Sequence, residues 1–253
     1  GEEGTDTLFE LADPRPEEQS GKEADYLDVD VTSHIGSKKS EKARQLVKEF
    51  KMIFRNDLTR NGGMVSGAPE FEICLKEGFR RARQRPQKKR SRDEQETVDE
   101  FVKAMSEAGF IEECKVPLAA QLVLVNKNNK TRVCVDFRDL NSGTVPEYFP
   151  QDRADTILAS FSGKKYFTTL DATAGYWQVK IAEGSKDLTA FAAGNNTYRW
   201  AVMPFGLVNA PAHYNRWMQE VLAGLPVLRY VDDIIIATET WEEHIELLAK
   251  VFA

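Results

Sequence analysis

RYVDDIIIAT, residues 229–238, sets two adjacent carboxylates inside a run of β-branched and aromatic residues. Tyr, Val and Ile favour strands, whereas Asp is depleted there. Two short apolar arms around a polar pair predict a hairpin with Asp232 and Asp233 at its turn. Asp pairs serve as ordinary turn residues, because their side chains bond the nearby backbone. A tight turn can also hold two carboxylates on a stiff support, where a divalent cation relieves their repulsion. The pair alone does not separate these uses.

Upstream, KKYFTTLD (164–171) predicts a strand that ends on Asp171. It is followed by ATAGY, a turn of small residues whose backbone N–H groups can face phosphates. Taken alone, Asp171 would equally cap that turn. About sixty residues separate Asp171 from Asp232 and Asp233. If the strand lies beside the hairpin, the carboxylates meet. Carboxylates bridging two Mg²⁺ ions suit in-line nucleotidyl transfer, one ion activating the attacking 3′ oxygen and the other holding the triphosphate. Such a site works by positioning and charge neutralisation, without a covalent nucleophile.

The rest of the chain supplies a frame of alternating helices and hairpins. Leu46, Val47, Phe50, Ile53 and Phe54 recur at helical spacing after Ser40. FEICL (71–75) is expected to be a short strand. Asp93–Ala108 reads as an amphipathic helix with Val98, Phe101, Val102 and Met105 on one face and Gly109 as its C-cap. LVLV and RVCVDF flank NKNNKT, a hairpin with a basic, polar tip. A short helix is expected over Asp155–Ser162, then YRWAVMPFGLVNAP (198–211) runs from strand to turn and a helix covers about Ala212–Ala223. Thr240 and Glu243 fit a capping box for a final helix with Ile245, Leu248 and Phe252 inward. The class is therefore α+β or mixed α/β, with no internal repeat.

Composition adds bounds. A chain of 253 residues is long enough for a sizeable core in one domain or two. No apolar run approaches the roughly 18 residues of a membrane helix, and the acidic N-terminus lacks a signal pattern. Opening on Gly1 rather than Met suggests trimming upstream. Cys74, Cys114 and Cys134 form neither a disulfide framework nor a zinc pattern, so a reducing, intracellular compartment is expected, the cytoplasm in the first instance. The net charge of −6 hides an asymmetry: residues 1–30 hold eleven acids and two bases, a net of −9, which leaves +3 on the remainder. Residues 1–38 are expected to be an acidic, largely disordered arm. Within 78–92, Arg80, Arg81, Arg83, Arg85, Lys88, Lys89, Arg90 and Arg92 stand without one acid. Such a run contacts phosphates, acts as an address, or is simply a solvated loop.

Taken in order, LDATAGYWQVKIAEGSKDLTAF, MPFGLVNAPAHYNRWM and YVDD resemble the reverse transcriptase of LTR retroelements, especially the gypsy type. QLVKEFKMIF, EFVKAMSEAGFIEE, LVLVNKNNKTRVCVDFRDLN and WEEHIELLAKVF extend the resemblance over residues 42–253, more than four fifths of the chain.

The resemblance implies an α+β right-hand polymerase fold, fingers and palm, with an antiparallel palm sheet flanked by helices. Residues 39–165 would be fingers-like and 166–253 palm-like, interleaved into one structural unit over 39–253. The chain stops one helix after the aspartate hairpin, so thumb and ribonuclease H are expected to be absent. Asp171, Asp232 and Asp233 would be catalytic, with Asp171, Asp232 and the Ala172 carbonyl holding two Mg²⁺ ions, or Mn²⁺ in their place. Tyr176 matches the family's steric gate against a ribose 2′-OH. Arg132 and Lys127 would contact the incoming dNTP, Phe205 and Gly206 would line its pocket, and Pro211 would open the helix beneath the template. An RNA template and a DNA primer are the implied partners, with protein partners or further polyprotein domains beside them. The sequence departs from the family at the fingertip, with Asn126 in place of a lysine and Thr131 in place of an aromatic, and at His213, Tyr214 and Asn215, where a Thr-Phe-Gln run is usual. Two functions stay open: an RNA-directed DNA polymerase, or a domesticated, non-catalytic scaffold in a larger ribonucleoprotein assembly. An RNA-directed RNA polymerase is disfavoured by Tyr176.

Overall fold

A computed structural model describes residues 29–31, 35–54, 67–81, 89–127, 130–150, 154–172, 174–230 and 233–253. In chain order the elements are α1 (Ser37–Glu49), α2 (Arg92–Glu107), β1 (Ile111–Glu113), β2 (Leu122–Lys127), β3 (Lys130–Val135), α3 (Arg138–Gly143), α4 (Ala154–Ser160), β4 (Tyr166–Asp171), α5 (Glu183–Lys186), β5 (Phe191–Ala193), β6 (Asn196–Trp200), α6 (Ala210–Val221), β7 (Leu228–Tyr230), β8 (Asp233–Thr238) and α7 (Trp241–Phe252). The named strands pair antiparallel throughout, in three small sheets. Helices and antiparallel sheets together make the α+β class that the sequence predicts. The described residues fall into two units, one from 67–148 and 174–214, the other from 29–54, 149–172 and 215–253.

The first unit holds the sheet β1-β6-β5 and the hairpin β2-β3. Ser91 and Glu94 form the capping box that starts α2, and Gly109 ends it at φ +71°, the left-handed conformation glycine adopts without a Cβ penalty. Val98, Phe101 and Met105 are buried on the predicted face. Arg199 on β6 bonds Glu112 of β1 at 2.8 Å, Asp187 at 2.7 Å and Glu183 at 3.0 Å, fastening the outside of that sheet.

FEICL is not a strand. Phe71 and Ile73 are buried in alternation, as a strand would place them. The backbone, however, bridges Ile181 in parallel at Phe71 and Thr144 antiparallel at Leu75. Two different partners at its two ends prevent a continuous ladder, and Ile73 N–H turns instead to the Ser185 hydroxyl at 2.9 Å.

The second unit is the sheet β4-β8-β7 with α1, α4 and α7. Alternation along β4 and β8 sends Leu170 and Ile236 to one face, against Leu46 of α1 and Leu247, Leu248 and Phe252 of α7. Phe50 and Phe54 close the cluster, their rings 5.7 and 5.2 Å from Phe252. Full burial of each such side chain contributes roughly 1.5–3 kcal/mol. Thr240 and Glu243 cap α7 reciprocally, as expected from the sequence.

Burial also traps a histidine behind the sheet. His244 Nδ1 lies 3.0 Å from Thr238 Oγ1, and Nε2 lies 2.8 Å from Thr168 Oγ1. Thr238 donates its own hydroxyl proton to the Thr240 carbonyl. Donor counting therefore assigns the proton of the neutral ring to Nδ1, with Thr168 donating to Nε2. Burial holds the His244 pKa below its ordinary value. A depressed histidine pKa adds stability that is complete above the free imidazole range, about 6.5, and is lost as pH falls through the lowered value. Thermal melts are expected to show this acid loss, and His244→Gln should flatten it.

Candidate active site

Two groups of candidate side chains are assembled, one in each unit. The first is an acidic corner. β4 ends on Asp171, β8 begins on Asp233, and the two are direct cross-strand partners. Tyr230 of β7 faces Asp233 from the other side. The alternation that buries Leu170 and Ile236 leaves Phe167, Thr169 and Asp171 on the open face of β4. The sequence pattern thus becomes geometry: the hydrophobic face is anchored on α7, and the carboxylates share the opposite face. Partial burial, and secondarily the facing Asp233 carboxylate, raise the Asp171 pKa above its ordinary value. Asp232 lies outside the described residues, as does Thr173. Among the described residues no three acidic, histidine or cysteine side chains cluster as a metal site. The Asp171–Asp233 pair fits a hard cation all the same: charged oxygens are the donors Mg²⁺ takes, and like charges held opposite each other on a sheet are unfavourable without one.

The second group is an aromatic cluster in the first unit. A 3₁₀ turn, Gly175–Gln178, presents Tyr176 half-buried while Trp177 goes into the core. The turn starts from Ala174 at φ 44°, the one non-glycine residue with positive φ among those described. A left-handed alanine costs about 1–2 kcal/mol, so Ala174→Gly is expected to raise stability by up to about 1 kcal/mol after the extra freedom of the unfolded chain is subtracted. Chemical denaturation would measure it. Tyr176 rests against Phe205, ring centroids 4.9 Å apart, and against Tyr214 at 5.4 Å. Gly206 turns the chain at φ +93°, and its carbonyl accepts from Asn141 Nδ2 at 2.8 Å while Val208 N–H donates to Asn141 Oδ1 at 2.9 Å. Asn209 fastens the other end of the turn, accepting from Glu147 N–H and donating to the Val145 carbonyl. These two asparagines and Tyr214 support the predicted pocket residues, and sequence reading passed over the asparagines. Asn141 lies 65 residues from Gly206, so no local pattern pointed to it.

Other predicted residues are placed as follows. Arg132 sits on β3 opposite Val125. Lys127 ends β2 by its backbone, its side chain lying outside the described residues. The two fingertip departures meet each other, Thr131 donating to Asn126 Oδ1 at 2.7 Å. His213 Nε2 bonds the Pro69 carbonyl at 3.1 Å and its ring meets Phe71 edge-on. Pro211 lies in the first turn of α6, where a missing N–H costs nothing. In the basic run, Arg81 is largely enclosed, donating to the Leu188 carbonyl at 3.0 Å beside Asp139, and Arg90 donates to the Leu122 carbonyl at 3.2 Å. Arg80 and Lys89 are exposed, while Arg83, Arg85 and Lys88 lie outside the described residues. Among the described residues no helix is long and apolar enough to cross a membrane.

Comparison with known proteins gives a consistent answer. The family described as reverse transcriptase (RNA-dependent DNA polymerase) matches residues 125–253. An enzymatic polyprotein of Cestrum yellow leaf curling virus is 39% identical over 152 residues, covering 56% of this chain and 24% of the relative. The retrovirus-related Pol polyprotein from transposon 297 of Drosophila melanogaster is 37% identical over 164 residues, covering 61% of this chain and 16% of the relative. The chain thus spans a quarter or less of the length of these curated relatives. Among solved structures, the foamy viral protease-reverse transcriptase in complex with RNA/DNA hybrid superposes with a TM-score of 0.77 at 23% identity, over 87% of this chain and 29% of that one. That likeness establishes the fingers and palm fold.

Proposed function

Because the chain belongs to the reverse transcriptase (RNA-dependent DNA polymerase) family, we propose that it is the fingers and palm of an RNA-directed DNA polymerase that adds dNTPs to a primer 3′ end on an RNA template. On this reading residues 39–165 are mainly fingers and 166–253 mainly palm. The carrying observation is the cross-strand pairing of Asp171 with Asp233 on the open face of an otherwise anchored sheet. Asp171, Asp232 and the Ala172 carbonyl would hold two Mg²⁺ ions, or Mn²⁺, with Asp233 beside them. Bound ions supply charge neutralisation and a more nucleophilic primer oxygen. The chain's own residues position the reactants. The stiff β4-β8 pairing keeps the carboxylates in fixed register. Tyr176 presents its ring edge to the sugar, Phe205 and the Gly206 backbone line the nucleotide pocket, and Arg132 and Lys127 contact the incoming triphosphate. Arg80, Lys89 and their neighbours in 78–92 contact nucleic-acid phosphates, for which affinity for a primer–template should fall with rising salt.

A non-catalytic scaffold is the competing reading. The hydrogen bond between Thr131 and Asn126, which engages both side chains away from a nucleotide, favours it. The acidic pair weighs against it, since a scaffold gains nothing from like charges set opposite each other. Primer extension on an RNA template with Mg²⁺ and dNTPs decides. Extension that disappears in Asp232→Asn is expected. Primer–template binding without extension would leave the scaffold.

A further inference from the structure

The geometry points to Tyr214 as the residue that sets the position of Tyr176, by packing its ring directly onto the Gly175 backbone, and so as a determinant of sugar selectivity. This inference rests on the assignment of Tyr176 as the gate.

Three observations carry it. Tyr214 is 3% exposed, whereas Tyr176 is only half-buried, so Tyr214 stands behind the gate rather than in it. The two rings lie 5.4 Å apart at 59°, and Phe205 holds the other side of Tyr176 at 4.9 Å. A Cβ built on Gly175 would come within 2.5 Å of Tyr214 Oη, 2.6 Å of Cζ and 2.8 Å of Cε2. Gly175 is not among the glycines with positive φ, so space rather than backbone torsion demands glycine there. The residue that carries the gate is therefore preceded by one whose missing side chain is replaced by the Tyr214 ring.

The consequence is mechanical. A steric wall excludes a 2′-OH only if it yields less readily than the sugar. A half-exposed tyrosine with nothing behind it can change rotamer or shift with its turn. Here the turn is locked between buried Trp177, whose ring meets Phe110 at 5.4 Å, and the Tyr214 ring on Gly175. Interiors packed at crystal-like density transmit such displacements rather than absorbing them. The Tyr214 hydroxyl is the atom nearest to where a Gly175 side chain would begin. Tyr214 acts through Tyr176 and is a positioning residue.

The test uses the full chain in primer extension, measuring kcat and KM for a dNTP and for the matching rNTP. Tyr214→Leu removes the backstop and Gly175→Ala pushes it from the other side. Each is expected to lower dNTP-over-rNTP discrimination roughly tenfold, a change carried by rNTP KM, with Tyr214→Phe retaining most of it because the ring remains. The double variant should be no worse than either single, since leucine makes room for the new methyl. It also carries the test if a single variant fails to fold, and its ratio must then fall. Wild-type discrimination in folded Tyr214→Leu and Gly175→Ala overturns the inference. Tyr176→Val separates the two layers: if it relaxes selectivity while the backstop variants do not, only the role of Tyr214 falls. If Tyr176→Val leaves selectivity unchanged, the gate assignment falls and the backstop with it.

Discussion

Replacing Asp171 with Asn is expected to make the protein more stable and, on the proposed reading, to abolish primer extension. The two effects share one cause. Asp171 and Asp233 are opposed across β4 and β8, and like charges in that position are destabilising. Asn keeps the shape and removes the repulsion, so the melting temperature should rise when no divalent cation is present. The pH dependence has the same origin. A carboxyl whose pKa is raised in the folded state contributes stability below its unfolded pKa and loses it as pH rises through the raised value. That loss should vanish in the variant. Mg²⁺ should reverse the order, raising the melting temperature of the wild type and leaving Asp171→Asn nearly unmoved. In a primer-extension assay, loss of Asp171 as the proposed ligand should remove several kcal/mol of transition-state charge stabilisation and lower the rate by about 10³-fold or more. A variant that is neither more stable without Mg²⁺ nor inactive with it would remove Asp171 from the site.

Tyr176→Val should admit ribonucleotides. The ring stands half-exposed, held between Phe205 and Tyr214. Forcing an added hydroxyl into a packed wall costs about 1–3 kcal/mol, a discrimination of roughly 10- to 10²-fold. Valine keeps an apolar surface but withdraws the ring edge, so rNTP incorporation should rise by that factor while dNTP turnover changes much less. Competing dNTP and rNTP on one template, with the product digested by alkali at each ribonucleotide, reads the ratio directly. An unaltered ratio would mean that Tyr176 is a core aromatic and no gate.

Much of this was legible along the chain because its causes are local. The capping boxes of α2 and α7, the end of α2 at Gly109 and the end of β4 on Asp171 all depend on residues within a few positions of each other. Strand-forming residues likewise marked β4 and β8. The same propensity misled at 71–75, where Phe71 and Ile73 are buried but the backbone divides its bridges between two partners. The basic run likewise did not announce that the Arg81 and Arg90 guanidinium groups are engaged by backbone carbonyls far along the chain.

By itself, then, the sequence determined most of the main elements, the inward faces of α2 and α7 and the residue types of the candidate site, because propensity, capping and periodicity act over a turn or a strand. Only the tertiary structure decided that Asp171 meets Asp233 in register, that Asn141 and Asn209 hold the Phe205–Gly206 turn, and that Tyr214 fills the space Gly175 leaves open. These contacts join residues tens of positions apart. They are selected by the packing of whole faces, which no local pattern encodes.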